Sequence, residues 1–210
     1  MRKTVHPATA YLSAIDADWA ALVKRVGPCA LQSIEREPYE ALIRAIAHQQ
    51  LHGKAAEAIL GRFVAMYPDE TFPSPVSILN TEPELLRACG FSFAKIASIR
   101  GIAEGRIAGV VPTRKASQKL GDEELIARLV SLKGIGRWTV EMLLMHTLER
   151  PDILPVDDFG VREGWRVLKS LPQQPKPREL AQIGQSWSPH RSAAAWYLWR
   201  AAEQAKLAAG

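Results

Sequence analysis

Two short stretches of this chain place chemistry-bearing residue types at useful spacing. The first is Leu132-Lys133-Gly134-Ile135-Gly136-Arg137-Trp138-Thr139. Its glycines permit backbone conformations closed to other residues, and Ile135 between them is expected to turn inward and pin the turn. The amides of residues 136–139 would then head a helix without carbonyl partners. Such N–H groups at the positive end of a helix form an anion site able to grip a phosphate. Lys133 and Arg137 would add charge at its rim. Steric need at a tight helix–helix turn also accounts for a bare G-x-G. The second stretch is Pro155-Val156-Asp157-Asp158-Phe159-Gly160-Val161-Arg162. It sets two adjacent carboxylates at a helix start, where one Asp suffices as a cap. An ionised carboxylate near a phosphate grip stabilises a cationic sugar transition state, or aligns a water against the anomeric carbon. Spacing alone does not choose between Asp157 and Asp158.

Other candidates are single residues. Trp138 follows the hairpin, Phe159 follows the carboxylates and Trp199 lies near the chain's end. An aromatic face attracts cations, and Met142, one turn after Trp138, adds a soft apolar wall. Trp19, Trp165, Trp187 and Trp196 are expected in the core. His48 and His52 stand four residues apart like a metal pair. Gln49-Gln50 between them lacks the Glu of the zinc-hydrolase pattern, so no metal is expected.

Helices must position these groups. Ile15, Trp19, Leu22, Val23 and Val26 recur at helical spacing up to Gly27-Pro28. Pro38 opens a helix with Leu42, Ile43, Ile46 and Ala47 on one face. Gly53 interrupts the pattern, and the next helix runs from Ala55 towards Pro68. Further helices are expected at 75–79, 82–88, 94–103, 121–130, 138–148, 159–168, 177–183 and 191–207. No alternating β-branched run is long enough for a central strand, so the fold class is all-α, without repeats.

Composition narrows the class. The chain has 210 residues, enough for one or two lobes. Its 47% hydrophobic and 23% charged residues exclude global disorder. No apolar run approaches the roughly 20 residues of a membrane span, and the first seven residues lead into no signal-peptide stretch. A soluble intracellular protein is expected. A net charge of +5 tilts weakly towards an anionic partner. Cys29 and Cys89 are too few for a disulfide framework or a four-thiolate iron–sulfur cluster.

Together these motifs resemble a known family. Leu132 to Thr139 looks like the helix-hairpin-helix of the DNA glycosylase superfamily, and Pro155 to Arg162 like its loop ending in a catalytic Asp. Pro38-Tyr39-Glu40-Ala41-Leu42-Ile43-Arg44-Ala45-Ile46-Ala47-His48-Gln49-Gln50-Leu51-His52-Gly53-Lys54-Ala55-Ala56 resembles the first block of the 3-methyladenine DNA glycosylase II (alkylpurine) branch. Gly90-Phe91-Ser92-Phe93-Ala94-Lys95 matches it too.

The resemblance implies a single two-lobed all-α unit over 1–210, with an active-site cleft between a terminal lobe (1–35 plus 156–210) and a hairpin lobe (36–155). It implies a monofunctional glycosylase that flips alkylated bases out of double-stranded DNA and hydrolyses the N-glycosidic bond. Asp158 is then the catalyst and Asp157 the cap or water-orienting neighbour. Trp138, Phe159, Trp199 and Met142 hold the base. Gln50 is the wedge, Leu51 faces the core and His52 touches the minor groove. Lys95, Lys133, Gly134, Gly136, Arg137 and Thr139 complete the DNA contacts. Trp138 stands where bifunctional relatives carry the Schiff-base Lys, so no lyase step is expected. A monovalent cation on the hairpin is the one cofactor implied. The protein is expected to act as a monomer, in the bacterial cytoplasm or a nucleus. A DNA binder without chemistry, or a basic protein that never meets DNA, are the competing readings; Asp158 speaks against the first and the hairpin against the second.

Overall fold

In the computed structural model, which describes residues 7–209, every regular element is helical. In chain order the helices are α1 (Pro7–Ser13), α2 (Ala17–Val26), α3 (Pro38–His48), α4 (Gly53–Ala65), α5 (Pro75–Asn80), α6 (Pro83–Ala88), α7 (Phe93–Ile107), α8 (Arg114–Ser117), α9 (Asp122–Leu129), α10 (Arg137–His146), α11 (Phe159–Leu168), α12 (Pro177–Ile183) and α13 (Arg191–Ala209). A 3-10 turn at Gly184–Trp187 precedes the last. Among the described residues there is no strand, and no helix long and apolar enough to cross a membrane. The N-terminal segment 1–6 lies outside the described residues.

Local chemistry explains the bounds. Asp16 caps α2 by accepting from the Trp19 amide at 3.0 Å, so the helix starts after Ile15. Gly27, at φ +89°, ends it. Proline opens α3, α5, α6 and α12, where its missing N–H is no loss. Gly53 does not break the chain's helicity; it is the first residue of α4, behind the N-cap His52. The unanticipated α1 and α8, of seven and four residues, are too short to show a period.

The helices pack into two compact units, residues 7–33 with 149–209, and Ile34–Leu148. Residues 149–155, expected with the hairpin, join the terminal unit because Asp152 accepts from Ser188 and Arg191 there. In that unit Trp19, Trp165 and Trp187 form one cluster with ring centroids 5.1–6.4 Å apart. Trp196, expected in the core, is only half-buried; it lies edge-on to Tyr197 and under the Arg200 guanidinium. Helices α11 and α13 touch backbone to backbone, since a Cβ on Gly164 would fall 2.0 Å from the Leu198 carbonyl oxygen.

In the second unit the buried face of α3, Leu42, Ile43, Ile46 and Ala47, is the one its spacing indicates. It packs on α7 and α4 around Phe63, whose ring meets Phe91 edge-on at 5.5 Å.

Gly164→Ala should therefore destabilise strongly, because backbone cannot yield as a side chain does. We expect a loss of about 3 kcal/mol, which a thermal melt reads as a fall of roughly 6–12 °C in Tm.

Candidate functional site

The candidate residues fall into a group on each unit. On the terminal unit, Asp158 is the N-cap of α11: its Oδ1 accepts from the Val161 amide at 2.9 Å. The same oxygen accepts from Trp199 Nε1 on α13 at 2.8 Å. Two donors on one oxygen fix the carboxylate's rotation. The cap assigned to Asp157 is thus made by Asp158 itself, and Trp199 acts on the carboxylate rather than standing apart from it. Gly160 makes this possible, because a Cβ there would sit 2.8 Å from Trp199 Cδ1 and 3.2 Å from Asp158 Oδ1. Phe159, next to Asp158 in the chain, is 67% exposed.

On the second unit, α9 and α10 flank the hairpin. Ile135 is buried, as expected. Gly134 has φ +83°, and a Cβ on it would lie 2.4 Å from Ser98 Oγ on α7. Gly136 does not use left-handed space: its φ is −91° and no atom lies within 4 Å of a Cβ placed there. Its role is different. It is the N-cap of α10 and offers the first turn no side-chain oxygen of its own. Lys133 is exposed at the rim. Arg137 is not the spare charge expected, for it pairs with Glu123 at 2.6 Å and Glu141 at 3.0 Å. The Glu123 carboxylate in particular raises its pKa. Thr139 turns its side chain inward and is buried, so it offers an incoming phosphate only its backbone.

The loop after α3 holds Gln50 at φ +56°, the left-handed conformation a glycine usually takes just past a helix. A non-glycine residue pays roughly 1–2 kcal/mol there. Gln49 Nε2 donates to the Gly134 carbonyl at 3.1 Å, tying this loop to the hairpin. Leu51, expected in the core, is 41% exposed beside Gln50. His52 caps α4, its Nδ1 accepting from the Lys54 amide at 3.4 Å, while His48 pairs with Glu57 at 2.9 Å. Lys95 does not reach outward as a DNA contact would; its Nζ donates to the carbonyls of Ala47 and Gln49, each at 2.8 Å.

Trp138, Met142 and His146 repeat every four residues along α10 and line one wall of a cavity of about 580 Å³. Gln49, Gln50, His48, Arg44 and Leu143 complete much of the rest. Trp138 is 48% exposed into that space. Sequence reasoning passed over His146, although its spacing from Trp138 and Met142 carried the signal. It also passed over Gln49 and Ser98, whose roles depend on helix–helix approach that no local pattern encodes.

Residues 43–190 match the HhH-GPD superfamily of base excision DNA repair proteins. The chain is 48% identical over 197 residues to DNA-3-methyladenine glycosylase 1 of Schizosaccharomyces pombe, covering 93% of this chain and 86% of that protein. Among solved structures, a 3-methyladenine DNA glycosylase of S. pombe in complex with abasic DNA superposes with a TM-score of 0.83 at 48% identity, over 93% of this chain and 96% of that one. A DNA-3-methyladenine glycosidase of Bacillus halodurans superposes with a TM-score of 0.87 at 30% identity, over 96% and 92%.

The Gly160 contact generates a test. In Gly160→Ala the added methyl should push the Trp199 indole off Asp158. Overpacking of about 1–3 kcal/mol is partly offset by about 1 kcal/mol of helix preference, so Tm should fall by at most roughly 8 °C. Of the six indole N–H resonances, that of Trp199 alone should shift strongly.

Proposed function

Because the chain belongs to the HhH-GPD superfamily of base excision DNA repair proteins, we propose that it is a monofunctional DNA glycosylase. It releases alkylated bases, 3-methyladenine and related purines, from duplex DNA by hydrolysing the N-glycosidic bond. The observation that carries this reading is the Asp158 carboxylate, held by the Val161 amide and the Trp199 indole. A protein that only bound DNA could cap α11 equally well with an uncharged Asn and would gain nothing from an anion, which repels phosphates.

Chemistry on a base in a duplex requires turning its nucleotide out of the stack. Gln50, at the tip of its left-handed turn, takes the vacated place in the helix, with His52 in the minor groove. The extruded purine stacks on Trp138, with Met142 and His146 on the same cavity wall. A 3-alkylated purine is cationic, which favours aromatic faces and makes the base a ready leaving group. Little general-acid help is then needed, so one carboxylate serves where ordinary glycosidases use two. As the bond to the base breaks, positive charge develops on the sugar. Asp158 stabilises that charge or aligns the attacking water.

The first turn of α10, together with Lys133, grips a phosphate without reading sequence. Trp138 offers no amine for a Schiff base, so the product is an intact abasic strand. The protein acts as a monomer wherever DNA lies, in the bacterial cytoplasm or a nucleus.

Asp158→Asn keeps an excellent N-cap, so folding should be intact. Base release from methylated DNA should fall a hundredfold to a thousandfold, in line with the removal of a major transition-state contact, roughly 10²–10³. Full activity in this variant would sink the mechanism, and loss confined to Asp157→Asn would move the role by one residue. The abasic product should stay uncut until base or heat is added. Borohydride trapping of a covalent adduct would contradict that.

Gly136→Ser tests the grip. A Ser cap takes the same amides that a phosphate needs, so Tm should rise slightly. Affinity for DNA should fall about threefold to tenfold, the worth of one hydrogen bond, and alike for every sequence.

A further inference from the structure

The lysine expected to touch DNA is turned inward, and its partners say what it does. The last turn of a helix leaves carbonyls without amide donors. At the end of α3, the Gln49 amide serves Ala45 and Ile46, and the Leu51 amide serves His48. Lys95, from the first turn of α7, donates to the carbonyls of Ala47 and of Gln49. These two carbonyls bracket the point where the chain leaves α3, and the second belongs to the residue just before Gln50. Gln50 is left-handed without being glycine. Such a conformation persists only where its surroundings over-determine it.

The surroundings form a closed set of ties. Lys95 holds the loop to α7. Ser98, one turn further along α7, packs against Gly134 of the hairpin. Gln49 Nε2 then joins the loop to the Gly134 carbonyl. Burial lowers the pKa of Lys95, in keeping with an ammonium withdrawn from solvent.

We propose that Lys95 is a positioning residue for the wedge: its ammonium holds the Gln50 turn in its left-handed conformation and sets it in register with the hairpin. The inference rests on the reading of Gln50 as the wedge. A phosphate held at the hairpin and a side chain inserted into the duplex are thereby locked to one geometry. Lys95 itself makes no phosphate contact.

The test uses Lys95→Met, which keeps the stem and removes the ammonium, and Gln49→Ala, which cuts the tie to Gly134 and changes no charge. Three quantities are read for the whole protein. They are the single-turnover rate of base release from 7-methylguanine-containing duplex, the fluorescence of 2-aminopurine placed opposite a tetrahydrofuran abasic analogue, and the slope of log Kd against log[KCl] for that duplex. Both variants should lose roughly tenfold or more in rate and lose the fluorescence change of insertion, with the salt slope unchanged. In a Gln50→Ala background, adding Lys95→Met should cost nothing further.

A salt slope reduced by about 0.9, the value of one phosphate contact, in Lys95→Met would overturn the proposal. So would effects of Lys95→Met and Gln50→Ala that simply multiply. If Gln50→Ala alone leaves rate and fluorescence unchanged, the wedge reading fails by itself, and a Lys95→Met loss in that event counts against positioning through Gln50. Should Lys95→Met not fold, Gln49→Ala decides: a normal rate and fluorescence in that variant would refute the coupling.

Discussion

The hairpin unit depends on how closely one turn approaches one helix. Gly134 lies so near Ser98 that no β-carbon fits between them, and two turns along the same face of α7 a Cβ on Gly105 would meet Leu132 at 2.9 Å. The segment from Leu132 to Gly134 therefore rests on α7 almost backbone to side chain, with Ile135 buried beyond it. This contact sets the direction in which α10 departs. It thus sets which way the turn at Gly136 faces and where Trp138, Met142 and His146 stand on the cavity wall. Gln49 and Lys95 attach the Gln50 loop to the same support.

Electrostatics is handled locally. The net charge of +5 overstates what the hairpin offers, since Arg137 is neutralised by Glu123 and Glu141. The first turn of α10 carries a partial positive charge of its own, and that field falls off within a turn.

Much of this was legible in the chain. The apolar face of α3, the span of α11 and the inward turn of Ile135 follow from periodicity and from glycines flanking an isoleucine. The candidate residues were visible because their types are chemically conspicuous. What escaped was relational. Gly134 and Gly136 read alike in sequence, yet one avoids a clash with α7 and the other avoids offering a cap. Asp157 and Asp158 are equally good caps on paper; the helix begins one residue later than an Asp157 cap would require. The resemblance makes Lys95 a DNA contact, but the two carbonyls it serves lie at the end of a different helix. Leu51 was expected to face the core, yet behind the left-handed Gln50 it is exposed.

One arrangement on the terminal unit bears on motion rather than on placement. Helix ends are where backbone hydrogen bonds open most readily, with free energies close to zero for fraying turns. Asp158 stands at such an end. Here the indole of Trp199 reaches across from α13 to the capping oxygen, and the Gly164–Leu198 contact presses the two helices together one turn on. Opening the first turn of α11 thus also costs the hydrogen bond from Trp199, so the carboxylate is held by a neighbouring helix as well as by its own.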